Sequence, residues 1–144
     1  MSDDVTMSWC AGFLDAEGSF IISPIKIRGI PRYKPFISCN QLMSSEPLAR
    51  LKLSLGGSIL VRKKRTKSGK LHWQWQITSA VMAKAAITAL LPLLTRKRED
   101  ALILLSFCEN VSSKGVKPTY EQLREQLRCF SELKILRNFG KHCT

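Results

Sequence analysis

The sequence predicts a single α+β domain in which helices and β-hairpins follow one another in the order αββαββα, with an extra helix at the C-terminus. Three observations carry this. Residues 71–78 alternate, with Trp73, Trp75 and Ile77 pointing one way and His72, Gln74 and Gln76 the other, the period-two signature of a strand with one covered face. Helix-start chemistry recurs at Ser44-Ser45-Glu46-Pro47 and at Thr119-Tyr120-Glu121-Gln122. The chain, 144 residues and 44% hydrophobic, is long and apolar enough to bury one core of its own.

In chain order, the first helix starts near Thr6 or Ser8 and covers about residues 6–18. From Ser19 the rhythm turns to β, as Ser19-Phe20-Ile21-Ile22-Ser23, and Pro24, which has no N–H for a ladder, marks an edge position or a bulge. Gly29-Ile30-Pro31 signals a turn, and a second strand follows over about residues 33–41. A Ser cap, an acid in the first turn and Pro47, whose missing N–H does no harm there, open the next helix. Leu48, Leu51 and Leu55 form its apolar face, and Gly56-Gly57 ends it. Residues 58–65 put Ile59 and Val61 on one face and Arg62 and Lys64 on the other, and Ser68-Gly69 turns the chain into the 71–78 strand. Residues 79–91 form an Ala-rich helix, broken by Pro92, and another helix covers about 96–110. The capping box Thr119–Gln122 opens a final amphipathic helix toward Asn138, stopped by Gly140, within an extension over about 112–144.

Charge is more informative in its distribution than in its total of +12. From Gly18 to Arg98 there are 16 Lys and Arg against one acid, Glu46, while the rest of the chain holds 7 basic and 10 acidic residues. Such segregation makes a positive surface on one part of the fold and points to a polyanion, with nucleic acid favoured over a membrane surface or a ribosomal partner. No apolar run is long enough to span a bilayer, no secretory signal is visible, and the acidic start Met1-Ser2-Asp3-Asp4 disfavours a mitochondrial presequence. Five cysteines, Cys10, Cys39, Cys108, Cys129 and Cys143, lack CxxC spacing, and four sit among apolar neighbours. They are expected to be free thiols in a reducing intracellular compartment, either a bacterial or archaeal cytoplasm or an organelle. His142-Cys143 lacks the further ligands a zinc site needs.

The least ordinary stretch is Trp9-Cys10-Ala11-Gly12-Phe13-Leu14-Asp15-Ala16-Glu17-Gly18. A helix this apolar has to be buried on more than one side. Yet it delivers two carboxylates to its C-terminus, where the helix dipole is negative and disfavours them. Acids so placed ask for a compensating charge, and a bound cation is the commonest one. Ala11 and Gly12 leave one side of the helix smooth, which suits a second copy of the same helix.

Residues 10–18 resemble the motif that names the LAGLIDADG homing endonucleases, with Cys10 in place of the leading Leu and Glu17 in place of the final Asp. The likeness extends through the strand order over about residues 9–101. It implies an antiparallel β-saddle that holds DNA, and a homodimer, because the chain carries one motif. It also implies hydrolysis of both strands of a long pseudo-palindromic target with Mg²⁺ or Mn²⁺, giving short 3′ overhangs. On this resemblance Glu17 is a metal ligand, with the carbonyl of Ala16 a further one, and Asp15 is structural. Glu for Asp adds a methylene to the arm and keeps the ligand type. Lys97 takes the place of the active-site lysine and Gln41 that of a solvent-positioning glutamine. A basic residue expected near Ser44–Glu46 is not matched. Ala11, Gly12 and Asp15 fall on the dimer interface.

Alternation along the strands nominates a DNA-reading face of Ser19, Lys26, Arg28, Lys34, Ser38, Asn40, Arg62, Lys64, His72, Gln74 and Gln76, with Lys67 and Lys70 in the hairpin tip facing phosphate. Two other readings keep the fold: an RNA maturase, for which RNA is the partner, and a DNA-binding regulator without catalysis.

Overall fold

The computed structural model describes residues 3–41, 45–63, 71–113 and 115–142. Helix α1 (Asp3–Glu17) leads directly into β1 (Gly18–Ile27) and β2 (Ile30–Gln41); α2 (Glu46–Leu55) is followed by β3 (Ser58–Lys63) and β4 (Leu71–Ile77). Then come α3 (Ala80–Leu90), a 3₁₀ turn over Leu91–Leu93, α4 (Arg98–Glu109) and α5 (Tyr120–His142). The strands form one antiparallel sheet in the order β1-β2-β4-β3. This is the α+β arrangement expected from the sequence.

The core lies between one face of the sheet and the helices. Phe20, Ile37, Trp75 and Ile77 come from the strands, Leu14, Leu48, Leu51, Ile87, Leu90, Leu104, Phe107 and Leu133 from the helices, and all are essentially inaccessible. Trp75 also spends its polar atom, since its indole Nε1–H donates to the carbonyl of Gly56 at 2.8 Å. Cys10, Cys39, Cys108 and Cys129 are buried free thiols, as their apolar neighbours suggest. The capping box forms as written in the sequence: the N–H of Thr119 donates to Oε1 of Gln122, and the N–H of Gln122 to the Thr119 hydroxyl.

Several boundaries differ from the sequence expectation. α1 begins at Asp3, α4 at Arg98, and α5 runs through Gly140 to His142. Ser45 stands at the N-cap of α2 without a side-chain cap bond. The hairpin turn is not Gly29-Ile30-Pro31 but Arg28-Gly29, both residues at positive φ (52° and 80°). That is the two-residue geometry whose twist matches its flanking strands. Of the two places expected for Pro24, an edge position or a bulge, the edge position is found: it lies in the edge strand β1 opposite Tyr33, without a bulge. Pro31 and Pro35 are tolerated in β2 because β4 pairs only with residues 37–41, so their stretch has a free outer side. The turn expected at Ser68-Gly69, together with Ser44, Lys64, Lys67, Lys70 and Cys143, lies outside the described residues.

Candidate active site and nucleic-acid interface

The junction after α1 has no linker, since Glu17 is the last helical residue and Gly18 the first of the strand. Only glycine fits there: a Cβ on Gly18 would lie 2.7 Å from Leu14 Cδ2 and 2.9 Å from the Leu14 carbonyl oxygen. Asp15 turns inward and is 8% exposed. Its Oδ2 accepts from the Thr95 N–H at 2.8 Å and the Thr95 hydroxyl at 2.6 Å, and its Oδ1 from the Lys97 N–H at 3.0 Å. These donors precede α4, so a side chain 80 residues away caps that helix and puts its negative charge at the positive end of the dipole.

Lys97 makes the opposite move. Its Nζ donates to the carbonyl of Leu14 at 3.4 Å and to that of Gly18, at the C-terminal end of α1, where a cation is favourable. Each helix end thereby receives the charge it needs from the other. This accounts for one of the two acids that the sequence leaves unexplained, and it does so without an ion.

Burial pushes the Asp15 carboxyl up, but the Thr95 hydroxyl and the main-chain N–H groups of Lys97, Thr95 and Arg96 outweigh it and hold it below its ordinary value. Burial, helped by the Arg96 charge, lowers Lys97, against the pull of Asp100 and Asp15. Cys39 pairs with Gly18 across the β1–β2 ladder and is pushed up to about 11, by burial first and then by the charge of Glu17. Gln41 hydrogen-bonds the same thiol and the Lys97 charge acts on it. Glu17, Lys97 and Gln41, named from the sequence, thus all act on the Cys39 thiol, which the sequence did not single out.

Glu17 and Ala16 are exposed. Among the described residues no group of three or more His, Cys, Asp or Glu is placed to hold a metal ion. A carboxylate and a main-chain carbonyl are donors of the kind Mg²⁺ takes, but two are too few. An ion of that class completes its shell with water and substrate phosphate, so this donor set fits a site that substrate completes rather than a closed cage.

The face of the sheet away from the helices carries the polar alternation. Ser19, Ser38, Gln76 and Ser58 lie in one row across all four strands, and Asn40, Gln74 and Leu60 in the next; Arg62 is opposite His72 by register. Gln74 is only 8% exposed, and its Nε2 donates to Gln76 Oε1 at 3.3 Å. The Nδ1 of His72 is buried without a hydrogen-bond partner among the described residues. Further out, Lys34 is on this face opposite Ser23, and Arg28 is in the turn. Lys26 is not: without a bulge at Pro24 it stays in the frame of Phe20 and Ile22, which face the helices. Arg32, opposite Ile25, takes a place on the open face that the sequence reading passed over. β-alternation counted from Ser38 would have found it.

On α1, Ala11 is 1% exposed and packs inside the protomer, as Asp15 does, whereas Gly12 has open space where a Cβ would stand. The exposed row is Ser8, Gly12 and Ala16, all small and four apart. Trp9 and Phe13 stack on each other with ring centroids 5.1 Å apart, and the Arg50 guanidinium lies 3.9 Å over Trp9. Thr95, which anchors Asp15, had no signal beyond being a hydroxyl residue ahead of a helix.

No family model matches the chain, and no curated protein matches it. Solved structures do. An archaeal intron-encoded homing endonuclease, I-Vdi141I, complexed with DNA, is similar at a TM-score of 0.74 and 21% identity over 92% of this chain and 84% of that one. The homing endonuclease I-CvuI, in complex with the I-CreI target in the presence of Mg with the DNA not cleaved, is similar at 0.65 and 18%, over 92% and 96% of the two chains. I-SmaMI, bound to an uncleaved DNA target in the presence of calcium, is similar at 0.71 and 21%, over 88% of this chain but 44% of its own. The chain has the fold of the LAGLIDADG homing endonucleases.

Proposed function

We propose that the chain is a site-specific DNA endonuclease of the homing type, acting as a homodimer with Mg²⁺ or Mn²⁺ and hydrolysing one strand of a double-stranded target with each protomer. The observation that carries this is the division of labour at the end of α1. Asp15 is consumed in capping α4, while Glu17, two residues on, is left exposed beside a sheet rich in basic residues. A carboxylate facing a phosphate backbone is repelled unless a cation stands between them. The DNA-bound state of the similar I-Vdi141I and I-SmaMI supports the same reading.

Glu17 and the Ala16 carbonyl are the groups that would hold the ion, which when bound supplies an acidified water and neutralises phosphate charge. Around it, Gln41 orients solvent, and Lys97 offsets charge developing on the phosphate. Held by two carbonyls, Lys97 needs no reorganisation to present its ammonium. Ser8, Gly12 and Ala16 give α1 a flat outer row on which a second α1 packs, bringing two Glu17 residues together. The match to less than half of I-SmaMI supports a two-copy arrangement. Cleavage at a long site is the activity that gene mobility of the intron-homing kind requires.

The test starts by selecting a bound duplex from a randomised library, then incubating it with wild type and Glu17→Gln in Mg²⁺ and in Ca²⁺. Wild type is expected to cut both strands in Mg²⁺. The variant should bind equally in Ca²⁺ and cut neither. Equal cutting by both proteins removes Glu17 from the chemistry, and binding without cutting by wild type leaves a DNA-binding regulator.

A further inference from the structure

The outer half of the open face mixes apolar with basic side chains. Ile27 and Ile30 pair across the hairpin next to its turn and are 53% and 50% exposed, and Ile21 pairs with Phe36, both half-buried. Between them the same face presents Ile25 opposite Arg32 and Ser23 opposite Lys34, with Arg28 in the turn. Apolar side chains set out along the edge of a sheet invite self-association unless something covers them. The covering surface has to carry negative charge next to small apolar projections. The DNA major groove does: it admits a two-stranded ribbon, is walled by phosphates, and exposes an apolar group on one base only, the 5-methyl of thymine. The spacing agrees as well. Side chains two apart on a strand are roughly 6.6 Å apart, close to two base-pair steps of about 3.4 Å.

We infer that the β1–β2 hairpin reads thymine methyl groups at the outer positions of each half-site, through Ile25, Ile27 and Ile30, while Arg28, Arg32 and Lys34 hold the flanking phosphates. This rests on the DNA-cleaving reading above and adds the bases that the outer hairpin prefers. It also separates thymine in DNA from uracil in RNA.

The experiment uses full-length protein and the duplex recovered from the randomised library. Thymines should be enriched at the outer positions. Replacing them with deoxyuridine, which lacks only the methyl, should weaken wild-type binding about fourfold per methyl, the equivalent of ~0.8 kcal/mol. The double variant Ile27→Ser, Ile30→Ser should bind thymine and uracil duplexes alike, with the salt dependence of wild type. Equal wild-type affinity for both duplexes overturns the inference while cleavage of the duplex still supports the endonuclease reading. So does a variant that keeps the full difference, or one that loses affinity for phosphatidylserine vesicles and none for DNA. If no duplex is enriched, both readings fall.

Discussion

The end of α1 and the open face of the sheet solve opposite problems with similar side chains. At the helix end Asp15 and Lys97 are paired twice or more, Asp15 with donors just ahead of α4 and Lys97 with carbonyls at the α1–β1 joint. On the sheet, Gln74 leans on Gln76, His72 Nδ1 is buried without a partner among the described residues, and Ser19 and Asn40 are exposed. Satisfied polar groups contribute to one rigid arrangement; polar groups held in place with capacity to spare are what a ligand can use. The difference separates residues that hold the site from residues that would act on DNA. Asp15 and Glu17, two positions apart, fall on opposite sides of it.

The largest effect should come from contrasting those two acids. Glu17→Gln is expected to lower the cleavage rate by three orders of magnitude or more, roughly 4 kcal/mol, with an unchanged urea midpoint. Asp15→Ala should lower that midpoint, with a loss of about 2–3 kcal/mol of stability, since it strips an ionised acceptor from three donors. A stable Asp15→Ala protein or an unfolded Glu17→Gln protein would break the contrast.

The pH dependence of stability sharpens it. The folded Asp15 carboxyl lies below its unfolded value, so its contribution is complete above about pH 4 and is lost as pH falls through the lower folded value. Asp15→Asn should flatten the acid limb of a stability–pH curve. An unchanged limb would mean that the capping bonds do not matter in solution.

Lys97→Met should cost about 1–2 kcal/mol by leaving the carbonyls of Leu14 and Gly18 without its ammonium. It should also slow cleavage more than it weakens binding. If only stability moved, Lys97 would belong wholly to the closed region. Narrowest is the reading of single bases: Gln76→Ala should relax preference at one position per half-site by about 1–3 kcal/mol and leave other positions alone, and a selection profile identical to wild type would take that strand out of the interface.

Much of this division was legible in the sequence, and the rest was hidden for a physical reason. Strand alternation, the Gly56-Gly57 stop and the capping box at Thr119 are local patterns, and each element they signal is present. Asp15 reaching Thr95 is a contact across 80 residues, and no local pattern encodes it, so its charge looked as much in need of an ion as that of Glu17. Lys26 was named for the open face, but regular pairing through Pro24 keeps it in the frame of Phe20 and Ile22, on the side of the helices. The Arg28-Gly29 turn was missed because an arginine in left-handed backbone is a sterically poor choice that only the closing hairpin reveals.

The joint at Gly18 fixes one more property. Helix passes to strand with no spare residue and no room for a side chain, so the motif helix and the first strand cannot change their phase independently. One residue inserted there would exchange the inner and outer faces of β1 along its length. If the proposed enzyme cuts at Glu17 and reads bases from Ser19 outward, the distance from scissile bond to recognised sequence is built into the chain like the zero mark of a ruler. Targets would then diverge base by base through side chains on the sheet, while the position of the cut would not drift with them.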